Sequence, residues 1–146
     1  MEQRVSIITL GVEDLERSVR FYEAMGLERN KQITEGVAFF QMGGLILALW
    51  PREDLAADAG RPVRRAAGAG AGLPNVALAY NTRTEGEVAA VLRQAEEAGG
   101  TVIKPAQRAE WGGFQGYFTD TEGNLWEVAH NPGFPISADG SVSLPE

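Results

Sequence analysis

The sequence predicts an α+β fold in which two βαβββ modules follow one another. Three observations carry that prediction. Each half of the 146-residue chain opens on an alternating apolar segment followed by one amphipathic helical segment. A small-residue run, Ala66-Ala-Gly-Ala-Gly-Ala-Gly72, separates the halves. The second half closes on two strands flanking Asp120-Thr-Glu-Gly-Asn124, where Asp and Asn favour local backbone hydrogen bonds and Gly123 supplies positive φ. The boundaries that follow are a first module over 1–60, a flexible connector over 61–72, a second module over 73–130 and an extended tail over 131–146, together one compact domain.

Taken in order, Arg4–Val12 reads as a strand with Ile8, Leu10 and Val12 on one face and Ile7, Thr9 and Gly11 on the other. Asp14 is placed to cap a helix running to about Met25, where Leu15, Val19, Tyr22 and Met25 follow the helical period and Gly26 stops it. A second strand near Arg29–Thr34 is weakly marked. Val37–Met42 and Leu45–Trp50 flank Gly43-Gly44 as a hairpin, pairing Met42 with Leu45, Gln41 with Ile46 and Phe39 with Ala48. Pro51–Ala59 reads as a short helical turn. In the second half, Asn75–Tyr80 is a strand, and Thr84-Glu-Gly-Glu87 fits a capping box before the stripe Val88, Val91, Leu92 and Ala95. Gly99-Gly100 ends that helix. A short strand Thr101–Ile103, a strand reaching Phe118 and a return strand Leu125–His130 complete the module. On the return strand Leu125, Glu127 and Ala129 share one face, which sets a carboxylate in an otherwise apolar strand.

Composition narrows the function. Net charge is −7 with pI near 4.8, so nucleic acid is a poor partner. The longest aliphatic-aromatic run is Leu45–Trp50, far short of the roughly 20 residues of a membrane span, and Met1-Glu-Gln-Arg does not open an export signal. A cytoplasmic location is the expectation. There is no cysteine and one histidine, His130. Catalytic metal centres commonly draw on two or three imidazoles, so no metal ligand set and no cofactor is expected within one chain. His130 falls on the strand face opposite Glu127 and reads as a satisfied strand-end histidine rather than a catalyst.

Val12-Glu-Asp-Leu-Glu-Arg-Ser-Val-Arg-Phe-Tyr22 leading to Met25-Gly-Leu27, and Tyr117-Phe-Thr-Asp-Thr-Glu-Gly-Asn-Leu-Trp-Glu127, resemble the vicinal oxygen chelate superfamily of glyoxalases, bleomycin-resistance proteins and extradiol dioxygenases. The resemblance spans residues 4–130. It implies curled mixed sheets paired around a shared cleft, and a homodimer. Metal-dependent members place ligands at positions that fall here on Ile7, Ala48, Asn75 and Glu127. Of these only Glu127 matches; isoleucine and alanine cannot ligate an ion, and an Asn carbonyl suits hard ions only weakly.

The implied cleft would be lined by Thr9, Phe39, Gln41, Ala48 and Trp50 from the first module. Asn75, Leu125 and Glu127 would line it from the second, with Trp111 beside Gly112-Gly113. A mostly apolar pocket with a few polar groups suits a small molecule. The two tryptophans would stack a planar ligand, and Glu127 would hold a cationic or hydrogen-bonding group. The reading is a protein without the usual metal site that sequesters a hydrophobic, aromatic or cationic compound, as antibiotic-resistance members of the superfamily do. One alternative is a metal-independent isomerase or lyase with Glu127 as general base and catalytic residue. Another is a metal-dependent glyoxalase or dioxygenase.

Overall fold

The structure, a computed structural model, describes residues 1–63 and 76–144; the connector from residue 64 onward and Asn75 lie outside the described residues. The chain divides into two compact units, Met1–Gly70 and Ala71–Glu146. Both are mixed-sheet α+β.

The first unit runs β1 (Ile7–Val12), α1 (Leu15–Ala24), β2 (Ala38–Met42), β3 (Leu45–Pro51) and α2 (Arg52–Asp58). Its sheet has the order β1-β3-β2, with β1 parallel and β2 antiparallel to β3. Asp14 caps α1 by accepting a hydrogen bond from the Arg17 N–H at 2.9 Å. The helix buries Ser18, Val19, Phe21 and Tyr22, a stripe wider than the expected one because it takes in Phe21, which packs edge-on to Tyr22. Against it lie Ala38, Phe40, Leu47 and Leu49, all buried, with Tyr22 and Phe40 centroids 6.0 Å apart. The hairpin pairs Met42 with Leu45, Gln41 with Ile46 and Phe39 with Ala48, as the sequence predicts.

The expected strand near Arg29–Thr34 does not form; only a bridge from Arg29 to Phe40 remains. The Asn30 side chain accepts from the N–H groups of Gln32 and Ile33, at 2.9 and 3.0 Å, and bends the chain away from the sheet.

The second unit runs β4 (Ala77–Asn81), α3 (Glu85–Glu97), β5 (Thr101–Arg108), β6 (Phe114–Thr119) and β7 (Leu125–His130). The sheet order is β4-β7-β6-β5, with only β4 parallel to its neighbour. Glu87 reaches back to accept from the N–H groups of Arg83 and Thr84 at the start of α3. Val88, Leu92 and Ala95 are buried on the sheet, where Phe118 and Trp126 stack with centroids 6.1 Å apart. Gly116 is required here, since a Cβ would come within 2.5 Å of Leu92 Cδ1 and 2.8 Å of the Lys104 carbonyl.

β5 is eight residues long, not the short Thr101–Ile103 segment expected. It holds Pro105 because it is an edge strand whose register with β6 shifts twice. The tail turns back on itself, where an extended run was expected: Ile136 bridges Val142, and the Arg83 guanidinium donates to the carbonyls of Ile136 and Ser137 at 2.9 and 2.8 Å. Among the described residues no helix is long and apolar enough to cross a membrane.

Candidate functional site

Each sheet has one face turned to its long helix, α1 or α3, and one face away from it; in the first unit Leu55 and Arg52 of α2 lie beside Gly11 on that second face. Strand register decides which side chains occupy the second face. In the first unit Thr9 pairs with Ala48, Ala48 with Phe39, Gly11 with Trp50 and Ile46 with Gln41. The predicted Thr9, Phe39, Gln41, Ala48 and Trp50 therefore share one sheet face. Ala48 is buried, Phe39 and Trp50 are half-buried, and Thr9 and Gln41 are exposed. Gln41 has local work: its amide nitrogen donates to the carbonyls of Gly43 and Leu45, at 2.7 and 3.1 Å, and ties the hairpin.

In the second unit the return strand carries Leu125 and Glu127 onto the face away from α3. The turn that aims it is held by Asp120, whose Oδ1 accepts from the N–H groups of Glu122 and Asn124 at 2.9 and 2.8 Å. Its Oδ2 accepts from the Asn124 side-chain amide at 2.8 Å. Gly123, at φ +83, closes the turn. With that turn fixed, Thr119 faces Leu125 and Tyr117 faces Glu127. Tyr117 donates its hydroxyl hydrogen to Glu127 Oε1 at 3.2 Å. On the far side of Glu127, β4 presents Ala79 as the direct partner with Ala77 beside it, both exposed and both small. No other hydrogen bond or ion pair reaches Glu127 among the described residues.

Burial raises the Tyr117 pKa above its ordinary 10.0, and the Glu127 charge and hydrogen bond push the same way. The phenol is a proton donor at neutral pH. Lys104 on β5 faces Tyr117 from the other side, its Nζ 5.9 Å from the ring centroid, inside the range of a cation–π contact. Gln115, two residues before Tyr117 on the same face, is 7% exposed, and its side-chain oxygen has no hydrogen-bond partner. A buried acceptor left unpaired costs on the order of 1–3 kcal/mol.

Trp111 is placed apart from this row. It lies in the β5–β6 loop, half-exposed, with its ring laid over Gly113, where a Cβ would come within 1.8 Å of the indole. His130 sits at the strand end, with Nδ1 3.3 Å from the Thr82 carbonyl on the neighbouring strand end. Sequence reasoning missed Tyr117, Lys104 and Gln115. Tyr117 was within reach, because counting outward from the Asp120–Asn124 turn pairs it with Glu127.

Register also tests the residue types at the metal-ligand positions implied by the resemblance. Ile7 pairs with Ile46, two residues before Ala48, and Ala77 pairs with Leu125, two residues before Glu127. Asn75, the first-strand position of the second module, lies outside the described residues. Ile7 and Ala48 carry only hydrocarbon side chains. Among the described residues no group of three or more His, Cys, Asp and Glu is gathered as an ion would require.

The family described as "Glyoxalase/Bleomycin resistance protein/Dioxygenase superfamily" matches residues 4–128. A solved glyoxalase-related enzyme from Fulvimarina pelagi is similar at 41% identity and TM-score 0.87, over 99% of both chains. A glyoxalase/bleomycin resistance protein/dioxygenase from Nocardioides is similar at 25% identity and TM-score 0.70, over 89% of this chain and 84% of that one. A hypothetical protein from S. aureus, at 22% identity and TM-score 0.75 over 90% and 95%, shares the fold. None of the curated proteins compared with the chain matches it.

Proposed function

The chain belongs to the Glyoxalase/Bleomycin resistance protein/Dioxygenase superfamily, and from that membership we propose that it binds and sequesters a small cationic, aromatic molecule without a metal ion. The observation that carries this reading is the Tyr117–Glu127 pair. It is a carboxylate on an open sheet face, with one oxygen held by a phenol and small side chains alongside. Such a carboxylate is oriented as an acceptor for a ligand ammonium or N–H group, and charge-assisted hydrogen bonds are the strong ones. Ile7 and Ala48 do not fit the divalent ion of the metal-dependent members, so no step is assigned to one. A homodimer, which the family resemblance implies, and a cytoplasmic location complete the reading. Exposed Ile7 on edge strand β1 and Tyr80 on edge strand β4 support association.

Titration calorimetry with benzylamine and with neutral benzyl alcohol tests the site, with chelator present throughout. The wild-type chain should prefer benzylamine, and Glu127→Gln should reduce that affinity about tenfold or more, as a lost hydrogen bond to a charged group of about 1.5–3 kcal/mol implies. Equal affinity for the two probes, or a preference that survives Glu127→Gln, would count against it.

A second reading draws support from the 41% identical Fulvimarina relative, which is described as an enzyme. In that reading Glu127 removes a proton from a bound substrate as general base. Turnover that persists in chelator and vanishes in Glu127→Gln would favour it over simple sequestration.

A further inference from the structure

β5 does not run in unbroken register along β6. Val102 faces Phe118, but Lys104 faces Tyr117, so two steps on β5 match one step on β6. That is a β-bulge, and bulges re-aim side chains. In unbroken register Lys104 would fall opposite Gly116, on the face packed by α3, where Leu92 would meet any added Cβ. The bulge instead carries its ammonium over the Tyr117 ring. Two local features allow it. Pro105, which has no N–H to lose, follows Lys104 on the edge strand. Gly116, with no side chain, lets the Lys104 carbonyl and the Ala106 nitrogen come within 2.8 and 3.1 Å of where a Cβ would stand.

The result is a row across three adjacent strands: ammonium on β5, phenol on β6, carboxylate on β7. Two strand spacings separate the charges at the backbone, about 10 Å. Tyr117 stands between them, and no ion pair joins Lys104 to Glu127 or to another described residue. Each charge is partly buried and keeps capacity for a partner of the opposite sign.

We propose that this row recognises a small zwitterion, its cationic end on Glu127, its anionic end on Lys104 and its body across the Tyr117 ring. The proposal deepens the binding reading above and rests on it. It narrows the ligand class from any aromatic cation to one that also carries a carboxylate or similar anion. The Tyr117 hydroxyl, committed to Glu127, keeps the two charged ends distinct.

Titration calorimetry on the full chain with 4-(aminomethyl)benzoate, benzylamine and benzoate tests it. The zwitterion should bind about tenfold or more tighter than benzylamine, in line with one added charge-assisted contact. Lys104→Met should erase that advantage, bringing the zwitterion-to-benzylamine affinity ratio close to one, and Lys104→Arg should keep most of it. If benzylamine binds through Glu127 but the zwitterion binds no tighter, or if Lys104→Met leaves the ratio intact, the zwitterion proposal falls and the binding reading stands. If neither amine binds, both fall.

Discussion

Tyr117 shows how much one side chain can say about its neighbour. Ionising its phenol would put two negative charges beside each other, so burial, the Glu127 charge and the hydrogen bond all hold the proton on. The folded state therefore favours the neutral phenol. That contribution is complete below the ordinary value of 10.0 and is lost as pH rises through the higher folded-state value. Glu127→Gln removes the charge and leaves the burial. One tyrosine titration should then move part of the way down toward 10.0, read from phenolate absorbance across the alkaline range. An unchanged curve would mean that the two groups do not face each other in solution. At this scale the sequence disclosed Glu127, because strand alternation isolates it among apolar neighbours. It did not disclose Lys104, whose side is decided by a bulge that no alternation rule anticipates.

Among the elements, the β6–β7 hairpin was the most legible, since Asp120, Gly123 and Asn124 announce a turn by their own chemistry. Its strength is concentrated in Asp120, which is 4% exposed and gathers three hydrogen bonds. Asp120→Ala leaves those donors unmatched and should lower stability by about 1–3 kcal/mol, measured as a drop in the denaturation midpoint. Asp120→Asn, which keeps an acceptor for the two backbone N–H groups, should cost less. Similar losses in both variants would show that the bonds contribute little. Other elements were less readable. The Arg29–Thr34 segment lacks the alternation of a buried strand, and Asn30 diverts it. β5 runs past its proline because an edge strand has a backbone side on which a missing N–H does no harm.

For the whole molecule, tandem organisation was visible because period 2 gives way to period 3.6 and back again once in each half. The details that distinguish the halves were not: among the described residues one sheet has three strands and the other four. Sedimentation velocity is the measurement for assembly. The proposed homodimer should sediment at twice the 15.7 kDa chain mass, and a species at the chain mass across micromolar concentrations would remove that part of the reading. The span from Thr119 to Leu125 has a wider consequence. Losing or gaining a single residue there would rotate everything after it by half a pleat, turning the acid inward against the helix and sending Trp126 or Val128 out in its place. Relatives with the same recognition chemistry should therefore vary freely in what they spell at Thr121 and Glu122, but never in how many letters they use.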